Sequence, residues 1–120
     1  MELTSTHLRY LLAMEDLART TPGVSAGAVA KALGVSKPSV TRMMNLLTDR
    51  GLLVRERYGK GFLTEEGLAL AAEYRRRMEV LRRRIPRMGL NLTDGELTEA
   101  ACLLALSLPV RALPEQPDQE

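Results

Sequence analysis

The chain has 120 residues, enough for a core of its own, and with no Trp and only 3% aromatic residues that core must be aliphatic. One cysteine, Cys102, excludes an internal disulfide, and no apolar run approaches the roughly 20 residues that span a bilayer; with no basic-then-hydrophobic leader either, a cytoplasmic, reducing compartment is expected. One histidine, one cysteine and no phosphate-cradling loop leave no nucleophile, base and orienting group to assemble, which argues against an enzyme.

The first expected helix runs from about Thr6 to Arg19, its apolar groups (Leu8, Leu11, Leu12, Met14, Leu17, Ala18) spread over a broad arc, as in a helix covered on two sides. Thr20-Thr21-Pro22-Gly23 breaks it, and Ser25 is placed to cap a short helix. That helix must stop at Gly34, where the chain reverses and a residue free to take positive φ is favoured. Ser36 opens the next helix, its hydroxyl placed to accept from an unpaired backbone N–H, and Pro38 in the first turn loses little by lacking one. Two short helices joined by a tight turn make a helix-turn-helix. Val29, Leu33, Val35, Val40, Met44 and Leu47 form its inward face, which leaves Lys37, Pro38, Ser39, Thr41, Arg42 and Asn45 facing out. Gly51 ends the second helix near Arg50. Leu52 to Tyr58 then alternates like a strand, Gly59-Lys60-Gly61 turns, and Phe62-Leu63 returns, giving a two-stranded wing.

Thr64 caps a long helix reaching about Ile85 and ended by Pro86. Its apolar residues Leu68, Ala71, Tyr74, Met78, Leu81, Ile85 and Met88 recur at spacings of three and four, a packing seam of coiled-coil type. Thr93-Asp94-Gly95-Glu96 has the capping-box pattern and opens a last helix that is apolar all round from Ala100 to Leu106. Such an element is either the centre of a core or shared with a second subunit. Beyond Leu108 the prolines 109, 114 and 117 and the loss of periodicity predict a flexible tail. The expected fold is mostly α: a winged helix-turn-helix over residues 1–64, a helical dimerisation region over 65–108, and the tail over 109–120. Met78, Leu81, Ile85, Leu97, Ala101 and Leu104 are the expected contacts of a twofold homodimer.

Net charge is only +2, but it is segregated. Residues 31–60 hold seven basic groups against two acids, and residues 75–87 hold seven arginines against Glu79, whereas beyond Met88 six acids face one arginine. A segregated basic surface favours a polyanion, and a polar second helix beside a basic wing is suited to double-stranded DNA. Arg42 and Asn45 are the candidates for base edges, Arg for guanine and Asn for adenine. Ser36, Ser39 and Thr41 offer short hydroxyls, with Lys37 and Pro38 beside them on the same helix. Arg55, Arg57 and Lys60 on the wing are expected on phosphates, with Tyr58 packing beneath. The clusters Arg75–Arg77 and Arg82–Arg84 are expected to flank the apolar seam, neutralised by the acidic last third.

The order of elements, with Ser36-Lys37-Pro38-Ser39-Val40-Thr41 in the helix-turn-helix and Leu63-Thr64-Glu65-Glu66-Gly67 closing the wing, resembles the iron-dependent repressor family, the DtxR/MntR-like regulators, over residues 1 to about 108. The resemblance implies a dimeric repressor of metal-uptake genes gated by manganese or iron. The SH3-like domain of longer members has no counterpart expected in these 120 residues. Counting without gaps from Leu63-Thr64 and Gly67, the family's ligand positions fall on Met78, Ala100, Leu103 and Leu104, and in the first helix on Thr6 and Arg9. None of these is a good ligand for a divalent metal, and Arg9 repels a cation, so no metal is expected there. A different site built from His7, Glu99 and Cys102 stays open; otherwise His7 and Cys102 read as packing residues. The expectation is a dimeric DNA-binding repressor without the family's metal switch. Two other readings also stay open: a MarR-type regulator taking a small organic ligand near Leu12, Tyr74 and Met78, and a winged helix that binds protein.

Overall fold

The computed structural model describes residues 2–56 and 59–113. Its elements in order are α1 (Ser5–Ala18), α2 (Ala26–Leu33), α3 (Lys37–Asp49), β1 (Leu53–Arg55), β2 (Gly61–Leu63), α4 (Glu65–Arg84), a 3-10 turn (Ile85–Met88), α5 (Asp94–Ser107) and a second 3-10 turn (Val110–Ala112). The fold is mostly helical, with a two-stranded antiparallel wing after the helix-turn-helix, as the sequence predicts. Residues 6–71 form one compact unit and the described residues 2–5 and 72–113 another, so the division falls inside α4.

The caps of the first unit sit where the residue types require them. Ser25 Oγ accepts from the Ala28 N–H at 3.1 Å and Ser36 Oγ from the Ser39 N–H at 3.3 Å, each satisfying a backbone donor that the helix start leaves unpaired. Gly34, at φ 68°, ends α2 in the left-handed conformation that costs a side-chain-bearing residue about 1 kcal/mol or more. Val40, Met44 and Leu47 of α3 then meet Val29 of α2, Tyr10 and Met14 of α1, and Leu52 and Leu53 in one buried cluster. Each fully buried aliphatic side chain there contributes about 1.5–3 kcal/mol. Val35 departs from the predicted inward face and is 38% exposed. It lies in the three-residue turn, outside both helices, so the helical period does not govern its direction.

In the wing, Leu53 pairs with Leu63, Val54 with Phe62 and Arg55 with Gly61. The strands are shorter than the alternation suggests. A further connection ties in the segment before α2: Val24 and Gly61 exchange two backbone hydrogen bonds, each 2.8 Å. A single paired residue leaves no periodicity to read. Thr64 joins wing to helix, its Oγ1 donating to the Gly51 carbonyl at 2.7 Å and accepting from the Gly67 N–H at 3.0 Å, while its own N–H donates to the Leu52 carbonyl at 3.1 Å. Gly67 is required by close approach: a Cβ there would stand 2.2 Å from the Leu52 oxygen.

In the second unit the capping box forms as expected, Glu96 N–H to Thr93 Oγ1 at 3.1 Å and Thr93 N–H to Glu96 Oε1 at 2.8 Å. Met78, Leu81, Ile85 and Ala101, expected to face a partner, are already buried within one chain, together with Val80, Cys102, Ala105 and Leu113. Periodicity marks a face to be covered without saying which chain covers it. Arg77 departs from the predicted flanking position and is only 6% exposed. Its Nε donates to Glu73 Oε2 at 2.8 Å and its NH1 to the Ala105 carbonyl at 3.3 Å, and its guanidinium lies 4.7 Å from the Tyr74 ring centre. Arg76 shares the Glu73 carboxylate at 2.9 Å, and Arg82 bonds Asp94 at 2.9 Å and the Thr98 hydroxyl. Where the flexible tail is expected, Val110–Ala112 form a turn and Leu113 is buried. Residues 114–120 lie outside the described residues.

Two measurements test these packing arguments. Gly67→Ala gains about 1 kcal/mol of helix propensity but drives a methyl group into a backbone oxygen, a strain that exceeds the gain. A net loss of about 2 kcal/mol is expected in urea unfolding. The Arg76 and Arg77 hydrogen bonds hold the Glu73 carboxyl below its ordinary range. The stability this contributes is complete above about pH 5 and is lost as pH falls through the depressed folded value. Because the Glu73 carboxylate is partly exposed and screened by solvent, Glu73→Gln should cost no more than about 1 kcal/mol at neutral pH and should flatten the acid limb of a melting-temperature profile.

Candidate nucleic-acid interface

The outer face of α3 is set by its first turn. With Val40, Met44 and Leu47 turned inward, Lys37, Pro38, Arg42 and Asn45 are exposed and Ser39 and Thr41 half-buried. Ser36 is committed to capping, and its Oγ lies 2.8 Å from Ser39 Oγ. Arg42 NH2 donates to Ser39 Oγ at 3.3 Å, so Ser36, Ser39 and Arg42 form a polar line along one edge of the helix.

Across from that edge an open groove of about 410 Å³ is lined by Ser25, Ala26 and Gly27 at the start of α2, Lys37 and Thr41 of α3, and Arg55, Gly59 and Lys60 of the wing. The starts of two helices and three cationic side chains thus meet around one concavity. Backbone N–H groups at a helix start carry partial positive charge, so both components favour an anion. Among the described residues, Lys37, Arg42 and Lys60 are in no ion pair. Arg55 is engaged differently: NH1 donates to Asn45 Oδ1 at 2.9 Å and NH2 to the Gly59 carbonyl at 3.2 Å. Sequence gave no signal for this link, because the two residues are ten apart on different elements. Arg57 and Tyr58, expected on a phosphate and in packing, lie outside the described residues.

The positions matched to metal ligands do not fit a divalent ion. Thr6, Arg9, Leu103 and Leu104 are exposed, Ala100 is half-buried, and Met78 is buried and offers only a thioether. Among the described residues no group of three or more His, Cys, Asp or Glu comes together to hold a metal. Cys102 is buried with its thiol directed at the Ser5 carbonyl 3.9 Å away. Burial and then the Arg50 charge lower the pKa of His7, which favours its neutral form. Of the remaining expected interface residues, Leu97 is half-buried and Leu104 exposed. Met88, Leu90, Leu92 and Leu103 of the same unit are exposed as well. Among the described residues no helix is long and apolar enough to cross a membrane.

Comparison with known proteins bears on the fold. Residues 2–60 match the MarR family. The structure is similar to that of the manganese regulator SloR, with TM-score 0.73 and 24% identity over 90% of this chain and 50% of that one. It is also similar to the hypothetical protein SSo2273 from Sulfolobus solfataricus (TM-score 0.69, 18% identity, 92% of this chain and 83% of that one). Lactococcus lactis ZitR in complex with DNA gives TM-score 0.59 and 22% identity over 88% of this chain and 73% of that one. The chain thus spans about half the length of SloR. No curated protein sequence matches it. The helix-turn-helix, its wing and these likenesses together give the chain the winged-helix fold of transcription regulators.

Proposed function

We propose that this protein is a dimeric, DNA-binding transcription regulator acting as a repressor, with α3 in the major groove and the wing on the adjacent backbone. The groove lined by Lys37, Arg55 and Lys60 beside the exposed face of α3 carries the reading, since it supplies phosphate contacts next to a surface able to meet base edges. The ZitR structure with DNA supports it by analogy of fold. In this reading Arg42 contacts a base edge, Ser39 and Thr41 assist from the same helix, Ser36 fixes the helix start, Pro38 and Lys37 border the backbone, and Lys60 and Arg57 bind phosphates. Exposed Met88, Leu90, Leu92, Leu103 and Leu104 supply the apolar surface for a second copy, in place of the seam residues that are buried in one chain. The match of residues 2–60 to the MarR family favours a second reading of the regulation, release by a small organic ligand.

Selection of duplexes from a random pool by the purified protein, followed by affinity measurement on the selected site, tests the reading. Arg42→Ala should weaken the selected site by about 1–3 kcal/mol and relax one position in each half-site. Lys60→Ala should weaken all sequences alike and reduce the salt slope by about one. Identical base preferences in the two variants would contradict these roles, and salt-insensitive, sequence-blind behaviour of the unmodified protein would favour a protein-binding module.

Because the matched positions hold Thr6, Arg9, Met78, Ala100, Leu103 and Leu104, DNA affinity should be the same with manganese as with chelator. A gain of about tenfold on adding manganese, or about 1.4 kcal/mol of coupling, would overturn that expectation. Sedimentation at micromolar protein should show a dimer. Leu104→Glu should convert it to a folded monomer by placing an unpaired charge in the interface.

A further inference from the structure

Arg55 belongs to the wing by position but to the base-facing surface of α3 by its hydrogen bonds. The guanidinium has donors and no acceptor, so the atom of the Asn45 amide that faces it must be the oxygen. The second bond, to the Gly59 carbonyl, anchors the guanidinium to the wing turn and restricts where the Asn45 side chain can go. Asn45 is exposed, and the end of its amide left for a ligand is the nitrogen with its two hydrogens.

This changes what Asn45 can read. An unrestrained asparagine selects adenine by accepting from N6 and donating to N7 at once. With Oδ1 bonded to a cation, its capacity to accept is reduced, and Asn45 and Arg55 together meet the groove with N–H groups. Guanine, whose O6 and N7 both accept, is the complementary edge. We propose that Arg55 is a positioning residue for base readout: by holding the Asn45 oxygen, it makes Asn45 select guanine over adenine at its base pair. The proposal rests on the DNA-binding reading above and adds to the wing a role in specificity beyond holding phosphates.

The test compares the unmodified full chain with Arg55→Ala, Asn45→Ala, the double variant and Lys60→Ala, each used to select duplexes from a random pool. Arg55→Ala should shift one position in each half-site from guanine toward adenine by about fivefold or more. The shift should be absent when Arg55→Ala is added to Asn45→Ala. Lys60→Ala, which also removes one wing charge, should leave every preference unchanged. Arg55→Met, which keeps the aliphatic stem and removes the donors, should reproduce the shift if Arg55→Ala disturbs the wing. In DNA-free protein, the NMR signal of the Asn45 side-chain amide should move in both Arg55 variants. An unmoved amide signal, or Arg55 variants that weaken all sequences alike as Lys60→Ala does, would overturn the proposal. Failure of the unmodified protein to select any sequence would instead overturn the DNA-binding reading, and the proposal with it, before any variant is examined.

Discussion

The turn at Gly51 and Leu52 is the constraint on which the unit of residues 6–71 depends. Thr64 satisfies two carbonyls of that turn, one through its hydroxyl and one through its N–H, while its hydroxyl also accepts the first-turn N–H of Gly67. The end of α3, the base of the wing and the beginning of α4 are thereby fixed by one residue. The helix can approach the turn so closely only because position 67 has no side chain. Without this knot the wing would be a two-stranded hairpin of three residues a side, which is marginal alone in water. With it, and with Val24 paired to Gly61, the wing is tied to the cluster under α3 at both ends.

The local parts of this arrangement were legible because their causes are local. Ser25, Ser36 and Thr93 mark helix starts by a hydroxyl that must reach an N–H three residues on, and Gly34 marks a stop by a backbone angle. What was not legible depends on partners distant in sequence. Arg77 looks like any flanking arginine until the Ala105 carbonyl and the Tyr74 ring are seen around it. Met78, Leu81 and Ile85 form a true seam, but a seam reads the same whether a second subunit or the rest of one chain covers it. At the candidate site, the exposure of Lys37, Arg42 and Asn45 follows from the outward face of a helix and that of Lys60 from the wing turn, whereas the engagement of Asn45 by Arg55 had no trace in spacing or composition.

The charges are sorted by how they are satisfied. In the second unit Arg76, Arg77 and Arg82 are joined to Glu73 and Asp94, which leaves them poor candidates for a polyanion. Around α3 and the wing the cations border a concavity in which the starts of two helices add their own partial charge. Two stretches with seven basic residues each, 31–60 and 75–87, thus correspond to different chemistry, a groove bordered by cations in the first and internal cross-linking in the second.

The wing also bears on how the protein keeps apart from its own copies as strands. Among the described residues β1 is paired on one side only, and Val54 projects from it 56% exposed, a combination that in a longer strand would template edge-to-edge aggregation. Here the strand stops after three residues, at Arg55, and Glu56 follows it. Such an edge offers too few backbone groups to recruit another chain, and brevity and terminal charge guard it where no covering helix is needed.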